Sequence, residues 1–188
     1  MGNAAYAAAL AALMQRDEGG AAGWFGTAAE RYRESFADAP RGSWGRPIGA
    51  LKARLLTGDW AAAAAEARWA LDAGAAEADS PIGRYAAALA LLVLGQDAEA
   101  RVHADAIRIR EDFPADVGDV LAMIAAGTDR VGYTEAIESV LDSFEEREEF
   151  LEDMPVADTV LVLQALAATR ELAVELESAL LPPADARR

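Results

Sequence analysis

Cysteine is absent from this 188-residue chain, which excludes disulfides, thiolate metal sites and a cysteine nucleophile. Histidine occurs once, at His103, and no serine sits in a nucleophile-elbow sequence, so neither a Ser-His-Asp arrangement nor a histidine-rich zinc set can be assembled. There is no phosphate-binding Walker loop and no dinucleotide fingerprint. Long apolar runs are missing too: the longest, Ala86 to Leu94, is far shorter than a bilayer span and has Arg84 beside it. Met1-Gly2-Asn3 opens a segment without the basic region of a signal peptide. These absences predict a soluble, cytoplasmic, non-enzymatic protein with no catalytic residue, no cofactor and no metal site.

Positive charge is scarce, with 17 Lys and Arg against 32 Asp and Glu for a net charge of −15. The imbalance is concentrated. Residues 129–178 hold 14 acids and 3 arginines, whereas residues 1–128 hold 17 acids and 12 bases. Such a field repels nucleic-acid phosphate and steers basic proteins inward, although an acidic composition with a single lysine, Lys52, also suits a salt-adapted or high-GC genome. The expected partner is therefore another protein, with a basic one favoured by the field, bound by a monomer or homodimer, with no nucleic acid and no membrane.

What the chain does have is a recurring turn. Leu55-Leu56-Thr57-Gly58-Asp59, Leu91-Leu92-Val93-Leu94-Gly95-Gln96-Asp97 and Met123-Ile124-Ala125-Ala126-Gly127-Thr128-Asp129 each end an apolar run at a glycine and offer an Asp to cap the next helix. The glycines lie 37 and 32 residues apart, near the period of two-helix repeats. The spacing predicts an all-α protein of antiparallel helix hairpins stacked as a tetratricopeptide-like right-handed superhelix, with about nine helices. A hydrophobic content of 53% is enough for one core over residues 1–183. Within that domain, 1–42 reads as an N-terminal hairpin, 43–128 as repeat-like hairpins, 129–183 as acidic C-terminal helices, and 184–188 as a flexible tail.

Local signals set the expected helix ends. Asn3 and Asp97 are candidate caps, Gly19-Gly20 a break, and Ser80-Pro81 a cap with proline at the first helical position. Trp24, Phe25, Ala28, Tyr32 and Phe36 approximate an inward stripe, Ala100, Ala104 and Ile107 another that Val102 could join, and the helix ending at Leu94 is apolar all round and belongs at the centre. A long helix is expected to run from Asp129 or Thr134 to about Glu152, and a last one from Val156 to Thr169. Gly45-Arg46-Pro47-Ile48-Gly49 has small residues four apart, which signals close helix packing.

Two features bear on binding. Glu145, Glu146, Glu148, Glu149, Glu152 and Asp153 crowd the end of the long helix with only Arg147 among them, and a partner offering Lys or Arg would relieve their repulsion. They lack the Glu-x-x-His motifs of paired-carboxylate metal proteins, so a solvated face or a docking surface are the two readings. Trp44, in a glycine-rich turn, is either a core residue or an exposed interface anchor. Glu99 and His103, four apart on one helix, fall short of a metal site by themselves.

The order of features toward the C-terminus resembles the immunity protein 49 family. The resemblance begins at Asp129 with Tyr133, Ala136, Ile137 and Leu141, passes through Val160 to Ala167, and closes on Val174-Glu175-Leu176-Glu177-Ser178 and Leu181-Pro182. It covers residues 45–183 loosely and its last forty or so specifically, and it departs at Leu180, where the family pattern has tyrosine. The resemblance implies a helical, non-enzymatic inhibitor that binds and neutralises a cognate toxin. The alternative is a generic adaptor whose concave face takes a peptide or partner subunit.

Overall fold

A computed structural model describes residues 1–183, and over them the chain is all-helical with no strand. Nine α-helices follow in order: α1 (Gly2–Met14), α2 (Glu18–Phe36), α3 (Gly45–Leu56), α4 (Trp60–Asp72), α5 (Pro81–Val93), α6 (Asp97–Arg108), α7 (Ala115–Ala126), α8 (Arg130–Glu145) and α9 (Asp158–Ala168), with a 3₁₀ turn at Leu151–Asp153. No described helix is long and apolar enough to cross a membrane. The expected tail, 184–188, lies outside the described residues.

The recurring turn has the predicted chemistry. Gly58, Gly95 and Gly127 stand at φ 69°, 71° and 68°, backbone that a Cβ disfavours. Asp59 and Asp129 then accept from the backbone N–H of Ala62 and Gly132, each at 2.9 Å, and Ser80 accepts from Gly83 N–H with Pro81 at the first helical position. Asp97 differs: it is the first residue of α6, and Gln96 holds the cap position without a side-chain bond. Asn3 does not cap α1 either; its side chain instead accepts from the Tyr32 hydroxyl at 3.0 Å. Nor do Gly19 and Gly20 break the chain. Arg16, at φ 64°, makes the turn, and Asp17 caps α2 through Gly20 N–H.

Each helix from α1 to α8 packs on its successor in the chain, and a second set of contacts links α1 to α3, α3 to α5, α5 to α7 and α7 to α9. The even-numbered helices α2, α4 and α6 cover this inner series with one apolar stripe each, such as Ala63, Ala67 and Ala70 of α4 and Ala100, His103, Ala104 and Ile107 of α6. These alanines are fully buried and bring the helix axes close. Helix α5 is buried continuously from Tyr85 to Leu92, as its all-round apolar sequence requires. Val102 does not join the α6 stripe, being 65% exposed, and Trp24 points away from the α2 stripe at 49%.

Helix α9 meets not only α7 and α8 but also α3, across the inner face of the stack. It runs from Asp158 to Ala168, within two residues of the expected Val156 to Thr169, and the chain then continues to Pro183 without helix. This closing strap is tied down along its length: Arg170 donates to the Leu92 carbonyl at 2.9 Å and pairs with Asp97, the Gln164 side chain bonds the Val174 backbone, and Leu180 O accepts from Ala157 N–H at 2.9 Å. Leu172, Leu176 and Leu181 of the strap are buried in the main core, while Tyr6, Leu10, Phe25 and Tyr32 form a smaller core shared with Val156, ahead of α9.

Candidate functional site

Helix α8 ends at Glu145 and not at Glu152, so the acidic cluster is divided between a helix terminus and a loop. Carboxylates near a helix C-terminus oppose the backbone dipole, and Glu145 and Glu149 would repel each other at helical spacing; both effects favour ending the helix there. Glu145 and Glu146 close α8, Glu148 and Glu149 lie in the loop, and Glu152 and Asp153 sit in the 3₁₀ turn at φ 50° and 56°. All six are exposed. Arg147, the one base among them, lays its guanidinium over the Phe144 ring at 3.7 Å.

The structure extends this surface in a direction that the local cluster did not suggest. Along α8, Glu135, Glu138, Asp142 and Glu145 recur at the three- and four-residue spacing of one helix face, opposite the buried Tyr133, Ile137, Val140 and Phe144. Among the described residues, none of these acids nor Glu146, Glu148, Glu149, Glu152 and Asp153 takes part in an ion pair. Glu145 accepts from the Ser178 hydroxyl at 2.6 Å, fixing the strap to the end of α8.

Trp44 is not an exposed anchor. At 8% exposure it precedes α3 as a core residue, its ring 6.5 Å from that of Phe36, because the turn after Gly42 folds it back under α2. His103 is buried on the α6 stripe while Glu99 is exposed, and the two make no ion pair. Burial, with the Arg84 charge, holds its imidazole below the ordinary value against the opposing pull of Glu77. Among the described residues no three His, Asp or Glu side chains are placed to hold a metal ion.

A second site, which the sequence did not reveal, is a cleft of about 870 Å³ between the start of α1, the end of α2 and the start of α3. At its base Lys52 Nζ donates to Asp158 Oδ2 and to Thr159 Oγ1, both at 2.8 Å, and the Tyr6 hydroxyl donates to the same Asp158 oxygen at 3.0 Å. Burial, the largest single influence, lowers the Lys52 ammonium, but the Asp158 charge and hydrogen bond together with Tyr85 turn the net shift upward. Burial and the same carboxylate push the Tyr6 phenol well above its ordinary value. At the mouth, Arg31 pairs with Glu34 at 2.8 Å, whereas Arg46 donates through Nε to Ser35 Oγ at 3.0 Å and has no carboxylate partner among the described residues. The one lysine in a chain of arginines was the available signal, since a compact ammonium fits a buried pair that a guanidinium would crowd.

Comparisons with protein-family models, with curated proteins and with solved structures find no match to this chain.

Proposed function

We propose that this protein is a non-enzymatic protein-binding module, an immunity protein of the family its C-terminal third resembles, which binds a cognate basic toxin and neutralises it. The observation that carries this reading is the unpaired acidic face of α8 together with the loop after it. Exposed carboxylates on one helix face make the potential outside it negative, and a partner bearing Lys or Arg would replace mutual repulsion by attraction. In this reading the protein acts in the cytoplasm as a monomer or homodimer.

A tetratricopeptide-like adaptor would instead need its inner face open to a peptide. Here α9 lies against α3 and α7, and the closing strap covers it, an arrangement that favours the first reading.

Co-expression with the product of each gene neighbouring this one, scored for toxicity and for its relief, tests the proposal. Replacing Glu135, Glu138, Asp142 and Glu146 by Lys should abolish protection and co-purification while helicity is retained. Association of the unaltered protein should slow as salt rises and the Debye length falls below about 10 Å. Full protection by the reversed variant sinks the proposal, and recovery of a partner other than a toxin supports the adaptor.

A further inference from the structure

We propose that the cleft between α1, α2 and α3 binds a small phosphorylated polyol, its phosphate held at Arg46 and its hydroxyls at the Lys52–Asp158 base. The site goes beyond the toxin-binding reading and does not depend on it.

Size comes first. A volume of about 870 Å³ lies in the range of small-molecule sites, roughly 300 to 1,000 Å³. Charge comes next: in a chain of net charge −15 the cleft gathers Arg31, Arg46 and Lys52 against Glu34 and Asp158. Arg31 is matched by Glu34 and Lys52 by Asp158, which leaves Arg46 as a side-chain cation of the cleft without a carboxylate partner among the described residues. Only its Nε is engaged, so both terminal nitrogens of a planar fork remain to donate to phosphate oxygens. The Ser35 and Ser43 hydroxyls line the same mouth.

The base has the opposite requirement. Asp158 Oδ2 is filled by Lys52 and Tyr6, but Oδ1 receives only a long 3.5 Å contact from Thr159 and keeps acceptor capacity. Lys52 has used two of its three donors. The two side chains are 18% and 11% exposed, so both are accessible from the cleft. A charged pair kept at the floor of a cavity costs desolvation, and such arrangements concentrate at functional sites. An inorganic anion would satisfy Arg46 and leave the Asp158 acceptor idle. A neutral polyol would do the reverse.

The test is a titration of isotope-labelled protein with glycerol 3-phosphate at constant ionic strength, followed by backbone amide shifts, with inorganic phosphate and glycerol titrated separately. Saturable shifts at Asn3, Gly45, Arg46 and Thr159 are expected, with a dissociation constant of about 1 mM or lower. Inorganic phosphate should bind roughly tenfold more weakly, and glycerol more weakly still, because each makes only part of the contacts. Arg46→Gln should weaken glycerol 3-phosphate about tenfold or more while other amides keep their positions, and Arg46→Lys should restore part of the loss. Absence of saturable shifts, shifts centred away from the cleft, unchanged affinity in Arg46→Gln, or inorganic phosphate or glycerol binding as tightly as glycerol 3-phosphate would each overturn the assignment.

Discussion

The side-chain amide of Gln164 pairs with the backbone of Val174 in both directions, donating from Nε2 to the carbonyl at 2.5 Å and accepting from the N–H at 3.2 Å. The Tyr133 hydroxyl adds a 2.8 Å bond to the same Gln164 oxygen, so one side chain on α9 joins α8 to the closing strap. Without helix or sheet around it, Val174 has no regular element to satisfy its polar groups, and Gln164 takes that place.

Gln164→Leu should therefore cost about 2 kcal/mol, since it strands the Val174 amide and the Tyr133 hydroxyl while conserving apolar volume. The loss should be local before it is global. Amide exchange measured by mass spectrometry is expected to rise first in the strap around Val174; uniform exchange along the chain would contradict the pairing.

Lys52→Met should destabilise the fold by about 3 kcal/mol, because it leaves Asp158 without its counter-ion in a largely dehydrated position. The double variant Lys52→Met, Asp158→Leu should recover part of that loss, as replacing a whole buried pair costs less than breaking it. Urea unfolding of the single and double variants measures the coupling. Strict additivity of the two single changes would show that the 2.8 Å pair makes no net contribution.

Gly49 and Gly45, four apart at the start of α3, should respond differently to the same change. A Cβ on Gly49 would stand 2.5 Å from the Tyr32 ring, so Gly49→Ala forces the aromatic out of place and should cost about 1–3 kcal/mol. Around Gly45 there is open space, and Gly45→Ala should be neutral or slightly stabilising through its effect on the unfolded chain. Thermal denaturation of both variants distinguishes them.

His103 should make the fold acid-sensitive. Its folded value is held below the ordinary 6.5, so the unfolded chain binds the proton more readily than the folded one. The stabilising contribution is then complete above about pH 6.5 and is lost as pH falls from there toward the lower folded value. Melting curves of the natural protein and of His103→Gln, compared from about pH 7.5 down to pH 5.5, should converge or cross as acid is added. A constant difference across that window would show that His103 keeps its proton equilibrium on folding.

How much of this was legible depended on the distance between cause and effect along the chain. The turns at Gly58-Asp59 and Gly127-Thr128-Asp129 were readable because the glycine, the cap and the capped N–H lie within a few residues of one another. The same holds for Ser80-Pro81 and for the burial of α5, whose all-round apolar sequence has only one stable place. The acidic cluster was visible as composition, but its continuation along α8 as Glu135, Glu138 and Asp142 needed the buried face of that helix to be known first. Trp44 is a case of context: a tryptophan in a glycine-rich turn reads equally as core or surface until α2 is laid over it.

The sequence by itself determined the all-helical class, the hairpin turns and the buried stripes, because short-range backbone chemistry and helical periodicity act over a turn or two. Tertiary structure alone decided that α9 folds back onto α3, that a non-helical strap closes over it, and that Lys52 meets a carboxylate 106 residues away. Those outcomes follow from burying the apolar sides of α9 and the strap against an inner face that no local signal describes. The cleft itself lies between α1, α2 and α3, and only the return of α9 onto α3 places Asp158 at its floor.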